Sequence, residues 1–212
     1  MRKLLAYIFL WLPATLTFTL AQNAVSKSEQ ERIINEINTS AQSIRTLQCK
    51  FEQTKELSIM DDKMVSKGTM AFARPGKLSW HYTSPYDYNF IIADDKVHIS
   101  KGKSRNSIDL KSSQTFQSIA KMIAGSITGK CLTQAQDFDV KILANEHVYV
   151  AHLTPKDKHL KKMFTTIRLT FNRASRTMDS VEMTEANGDA TSIVFKDVKQ
   201  NQPLGANVFN LD

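Results

Sequence analysis

From residue 47 onward the chain alternates apolar with polar side chains in short runs broken by turn residues, and few folds accommodate that. Leu47, Cys49 and Phe51 alternate with Gln48 and Lys50, and Leu78, Trp80 and Tyr82 alternate with Ser79 and His81. A period of two marks strands with one buried face. Met64 to Ala73, Tyr88 to Ala93, Lys96 to Ser100 and Ser107 to Leu110 read the same way, with turns at Asp94-Asp95 and Lys101-Gly102-Lys103. Further strands are expected at Phe138 to Leu143, Val148 to Leu153, Phe164 to Phe171, Met178 to Thr184 and Thr191 to Val198. Asn187-Gly188 is a hairpin turn. Strands so closely spaced form an antiparallel meander, not βαβ units.

Two segments have helical period instead. Residues 27 to 45 carry Ile33, Ile34, Ile37, Ala41 and Ile44 on one face, with Ser26 or Ser28 to cap them and Glu29 and Glu31 in the first turn. Residues 113 to 127 place Phe116, Ile119, Ala120, Ile123 and Ile127 at i, i+3, i+4, i+7 and i+11. Pro155 to Lys162 is polar and basic and reads as a loop, and the tail from Pro203 offers a last edge contact at Val208 and Phe209. No shift in composition divides the chain. The pattern predicts about ten short strands and two main helices, with the helices packed on one large curved sheet.

The chain opens with Met1-Arg2-Lys3, an apolar stretch from Leu4 to Leu20, and Ala21 before a polar region. This is the layout of a secretory signal peptide, cleaved after Ala21 with Ala24 as the second candidate. Residues 1–21 are therefore expected to be removed, leaving 22–212 as a single domain. Export permits disulfides. Cys49 and Cys131 either pair, which would stabilise the fold by about 4–5 kcal/mol in the chain-entropy model, or remain two buried thiols.

Catalytic chemistry is hard to find. No two of His81, His98, His147, His152 and His159 stand at a ligand spacing, and His147 and His152 fall on opposite faces of one strand. No metal site, no cofactor and no enzyme activity are expected. Gly125 to Cys131 imitates a phosphate loop, but its glycines are one residue too close and Cys131 stands where a hydroxyl is needed. The net charge of +7 includes basic runs at Lys101 to Arg105 and Lys156 to Lys162. They lack interleaved aromatics, and export argues against nucleic acid.

The stretch from Phe51 to Ser100 resembles the LolA family of periplasmic outer-membrane lipoprotein carriers. Phe51-Glu52-Gln53 matches the family's Phe-x-Gln. Arg74-Pro75-Gly76, Trp80 and Ser84-Pro85 match its Arg-Pro followed by Trp-x-x-x-x-Pro. Leu153-Thr154-Pro155 matches a later element. His98 departs from the family's frequent Trp or Tyr, and Asp95 from its usual Gly.

The resemblance implies a mainly β (α+β) fold, an unclosed antiparallel β-barrel with helices as a lid over an apolar cavity. It implies a soluble monomer in the periplasm of a Gram-negative bacterium. Such a carrier takes acylated lipoproteins from an inner-membrane lipoprotein-releasing transporter and hands them to an outer-membrane receptor. Phe51, Leu78, Trp80, Tyr82, Phe90 and Ile92 would line the concave sheet, faced by Ile33, Ile37, Phe116, Ile119 and Ile123 from the helices. The arginine matching Arg74 bonds the lid helices in the family, so Arg74 would be a latch. The alternatives are an exported binding protein for lipid or glycolipid and a non-carrier regulatory domain of the same shape.

Overall fold

The computed structural model describes residues 23–59, 62–94, 96–102, 104–109, 125, 132–133 and 137–210. The leader 1–21, Cys131 and the 113–127 segment (Gly125 excepted) lie outside these residues.

Helix α1 (Lys27–Gln42) starts where Ser26 Oγ accepts the Glu29 N–H at 3.2 Å. Its apolar stripe buries Ile33, Ile37 and Ala41. The two-residue strand β1 (Asn23–Ala24) precedes it. The expected alternation then appears as β2 (Thr46–Glu56), β3 (Lys63–Ala73), β4 (Lys77–Ser84), β5 (Tyr88–Ala93), β6 (Lys96–Lys101) and β7 (Ser104–Asp109). Later come β8 (Phe138–Ala144), β9 (Val148–Pro155), helix α2 (Lys158–Met163), β10 (Phe164–Asn172), β11 (Met178–Glu185) and β12 (Ala190–Gln200).

The strands form one antiparallel sheet in the order β1-β8-β9-β10-β11-β12-β2-β3-β4-β5-β6-β7. Strands β2 to β7 are one meander and β8 to β12 another. The two are joined where β12 pairs with β2, with Phe195 opposite Phe51. The end strands β1 and β7 do not pair, so the sheet is not closed into a barrel.

The β8 edge is covered economically. Asn23 and Ala24 pair only with Ala144 and Leu143. The Gln30 side chain continues the ladder, with Nε2 donating to Val140 O and Oε1 accepting from Ile142 N, both at 3.0 Å. An amide side chain thus fills the place of a missing strand residue on an edge that would otherwise present bare backbone.

Two apolar clusters lie on the sheet. In the first, Ile33 and Ile37 of α1 pack with Phe138, Ile142, Tyr149, Ala151, Leu153 and Leu169 of β8 to β10. In the second, Leu47, Cys49, Phe51, Met70, Phe72, Leu78, Trp80, Ile92 and Val97 pack together across β2 to β6.

The structure departs from the sequence pattern in two places. Within the polar run 155–162 the chain forms α2, because Asp157 accepts the N–H groups of His159 and Leu160 at 2.8 and 3.0 Å and so nucleates a turn that composition alone hides. Val208 and Phe209 do not form the expected edge strand: they sit in turns, where Val208 N donates to Gly205 O and Asn210 N to Asn207 O.

Asp189 ties two hairpins together. Its carboxylate accepts from Ser58 N at 2.9 Å and from Asn187 Nδ2 at 3.1 Å. The Ser58 amide, with smaller help from Asn187 and the Ser58 hydroxyl, holds this carboxyl below its ordinary range. A group depressed by folding contributes stability above its unfolded pKa and loses it as pH falls through the folded value. Asp189→Asn should therefore be less stable than the parent at neutral pH, and the gap should shrink as acid protonates the parent's carboxyl. Melting curves taken from neutral pH down to about pH 2 check this; a gap constant with pH would contradict it.

Candidate functional site

The inner face of β2 to β5 is built from aromatic residues. The Phe51 ring lies 4.5 Å from Trp80 and 5.1 Å, edge-on, from Tyr82. Trp80 also meets Phe195 edge-on at 6.2 Å. Gly68 sits opposite Phe51 in the β2–β3 register, and the Phe51 ring occupies the space a Gly68 side chain would need. Tyr82 Oη donates to Gln53 Oε1 at 3.0 Å. Phe51, Leu78, Trp80 and Ile92 are buried, and Tyr82 and Phe90 are half-buried beside them.

These six sheet residues, named from sequence, therefore share one surface. The helix residues are distributed differently. Ile33 and Ile37 do not stand over Phe51 and Trp80; they lie in the other cluster, over β8 to β10. The reason is the register of α1, whose first half runs beside the β8 edge through Gln30. Phe116, Ile119 and Ile123 lie outside the described residues.

The two clusters meet under the C-terminal half of α1. A cavity of about 30 Å³ opens there among Ile37, Ala41, Ile44, Leu47, Cys49 and Met70, with Phe171, Met178 and Phe195 further round. That is room for about two or three water molecules. An acyl chain does not fit in this space with α1 seated as it is here.

Beyond its buried apolar stripe, α1 is held at its C-terminal end by polar contacts. Arg74, at the turn after β3, donates from Nε to Ile44 O at 2.6 Å and from Nη2 to Ala41 O at 3.1 Å. Its own N–H donates to Arg45 O at 2.9 Å. The last carbonyls of a helix have no partner inside it, and a guanidinium fork supplies donors in fixed geometry. Midway along α1, Glu36 accepts from Arg176 Nη2 at 3.1 Å, and it also pairs with Arg32. Arg176, in the β10–β11 turn, was not apparent from sequence; nothing local distinguishes it from any other turn arginine.

Cys49 is a free, buried thiol on the cavity wall. Burial pushes it up to about 12, so it is protonated and shielded at neutral pH. A thiol reagent should label it slowly in the cargo-free protein and much faster when lipid or mild detergent lifts α1. Labelling read at the Cys49 peptide by mass spectrometry checks this; equal rates in both states would mean that α1 does not move.

Among the described residues no group of three His, Cys, Asp or Glu side chains could hold a metal ion. No helix among them is long and apolar enough to cross a membrane.

The model of the family described as outer membrane lipoprotein carrier protein LolA matches residues 42–212. The chain belongs to the LolA family. It is 24% identical over 201 residues to an outer-membrane lipoprotein carrier protein of Pseudomonas entomophila, covering 93% of this chain and 92% of that one. A protein of the same description from Pseudomonas fluorescens is 25% identical over 202 residues, covering 95% and 92%. Among solved structures, the MucA/MucB complex of Pseudomonas aeruginosa superposes with a TM-score of 0.52 at 11% identity, over 87% of this chain and 61% of that one. That likeness is one of fold. LolA-family carriers are non-catalytic, exported, periplasmic proteins. The unclosed antiparallel sheet with α1 packed alongside it is the architecture that the family resemblance implied, and the second helix expected there, at 113–127, lies outside the described residues but for Gly125.

Proposed function

We propose that this LolA-family protein shelters the acyl chains of lipoproteins between the inner face of its sheet and α1. It takes them from an inner-membrane releasing transporter and delivers them to an outer-membrane receptor, acting as a monomer. The observation that carries this reading is the fastening of α1 above an apolar surface by the Arg74 fork. A lipid anchor gains about 0.8 kcal/mol per buried CH₂, and several chains make membrane attachment effectively irreversible. A carrier across water must match that with apolar area, yet still let go. A helix fastened by hydrogen bonds meets both needs, because the bonds break when hydrocarbon enters and re-form when it leaves.

In this reading Phe51, Leu78, Trp80, Tyr82, Phe90 and Ile92 contact the acyl chains from the sheet. Ile37 joins them at the point where the two clusters meet. Ile33 stays on the β8 to β10 side and steadies the helix.

Native mass measurement of the protein purified from an envelope fraction tests the reading. It is expected to show a population carrying triacylated lipoprotein. Free lipid alone would favour an exported lipid-binding protein, and an empty protein under conditions that load a known carrier would overturn the proposal.

A further inference from the structure

The junction between α1 and β2 is gripped by a second side chain. Asn201 follows β12 at φ +55°, a left-handed conformation that asparagine tolerates better than most residues. Its backbone N–H donates to Thr46 O at 2.8 Å, and Thr46 Oγ1 donates to Gln202 O at 2.8 Å. The residue is thus seated against the first residue of β2. From there its side-chain amide works in both directions. Nδ2 donates to Ser43 O at 3.2 Å, and Oδ1 accepts from Arg45 N at 2.7 Å.

These two bonds bracket Ile44, the residue whose carbonyl Arg74 Nε holds. The need for them follows from how α1 ends. Ser43 is right-handed, at φ −73° and ψ −15°, so the helix lacks the left-handed terminal residue that commonly satisfies the last carbonyls. Ser43 N and Ile44 N close the last turn onto Ser40 O and Ala41 O, and side chains from elsewhere add to them, Arg74 from the end of β3 on Ala41 O and Ile44 O and Asn201 from beyond β12 on Ser43 O. Residues 43–45 link α1 to β2, so a swing of α1 off a fixed β2 turns about the backbone between Ser43 and Arg45. Because the Asn201 amide is engaged on both sides of that segment, the rotation breaks at least one of its bonds.

We infer that Asn201 is a positioning residue of the lid, a second clasp that with Arg74 sets how often α1 opens. The inference rests on the reading that α1 lifts to admit cargo. It adds that the clasp is shared between two strands that are not neighbours, so the closed state registers the position of both.

Asn201→Gly tests this, since glycine keeps the left-handed backbone and removes only the side-chain bonds. The mature, cargo-free protein is labelled with a bimane thiol reagent, and the rate is read at the Cys49 peptide. The variant is expected to label about tenfold faster than the parent, the effect of losing at least one ordinary hydrogen bond that only the closed state makes. Val150→Ala serves as the control for a merely structural loss. Val150 is buried on the face of β9 opposite Tyr149, and each protein is compared equally far below its own melting midpoint. Labelling of Asn201→Gly at the parent's rate, or no faster than Val150→Ala, would overturn the clasp. If the parent carries no lipoprotein but Asn201→Gly still labels faster, the clasp stands and the carrier reading falls.

Discussion

Arg74→Leu is expected to take up lipoprotein as readily as the parent and to pass on little of it. In the proposed mechanism the closed state competes with cargo, because opening of α1 breaks the Arg74 bonds to Ala41 O and Ile44 O. Apparent affinity for cargo is the intrinsic affinity reduced by the fraction of protein that is open. A hydrogen bond to a charged donor contributes about 1.5–3 kcal/mol, and two bonds from one guanidinium are not additive, so losing the fork should tighten retention by at least the worth of one such bond, on the order of tenfold to a hundredfold. Leucine also adds apolar surface beside the opened helix. Transfer to receptor-bearing liposomes measures the outcome. Arg74→Lys, with a single cationic donor in place of a fork, should fall between. Normal hand-over by Arg74→Leu would remove the latch from the mechanism.

Gly68→Ala is expected to be the most damaging single methyl in the sheet. A Cβ built there comes within 2.0 Å of His81 O and 2.6 Å of the Phe51 ring. The ring could rotate, but the carbonyl belongs to β4, and moving it pulls apart the β3–β4 ladder next to the register shift at Lys67. Overpacking of this kind costs about 3 kcal/mol, enough to lower the melting temperature on the order of 10 °C in a domain of this size. The effect should extend to the site, because Phe51 displaced from Gly68 also leaves Trp80, its neighbour at 4.5 Å. A thermal melt decides the point; an unchanged midpoint would mean that the two strands separate more freely than their pairing indicates.

Legibility in the sequence followed the physics of each element. The period-two runs of β2 to β6 declared the strands and the parity of the aromatic face, though not that Ala71, Ser79 and Ile91 on the opposite face are buried as well. That parity is why Phe51, Leu78 and Trp80 appear on one surface. The face of α1 was equally plain, but its docking partner was not. Ile33 and Ile37 look alike on a helical wheel whichever half of the sheet they cover, and the choice was made by Gln30 at the β8 edge, a long-range pairing that leaves no periodic trace. Strand β1 escaped notice because two residues carry no period. Helix α2 was masked by its lysines, with only Asp157 as a start signal. Arg74 was visible through Arg74-Pro75 and its resemblance to a family motif. Asn201 had no such flag, since its part depends on a left-handed backbone and on partners at Ser43 and Arg45, more than 150 positions away.

Because β2 lies between β3 and β12, the middle of the sheet joins groups 144 positions apart, as where Lys196 meets Glu52. Each meander can zip up from its own hairpins as the polypeptide leaves a secretion pore, but this seam waits for the last strand. During the wait β2 is a bare margin, long and regular, and slow distant pairing of this sort exposes a nascent chain to clumping. Deleting β12 would therefore yield two half-sheets with sticky rims, not a smaller working protein.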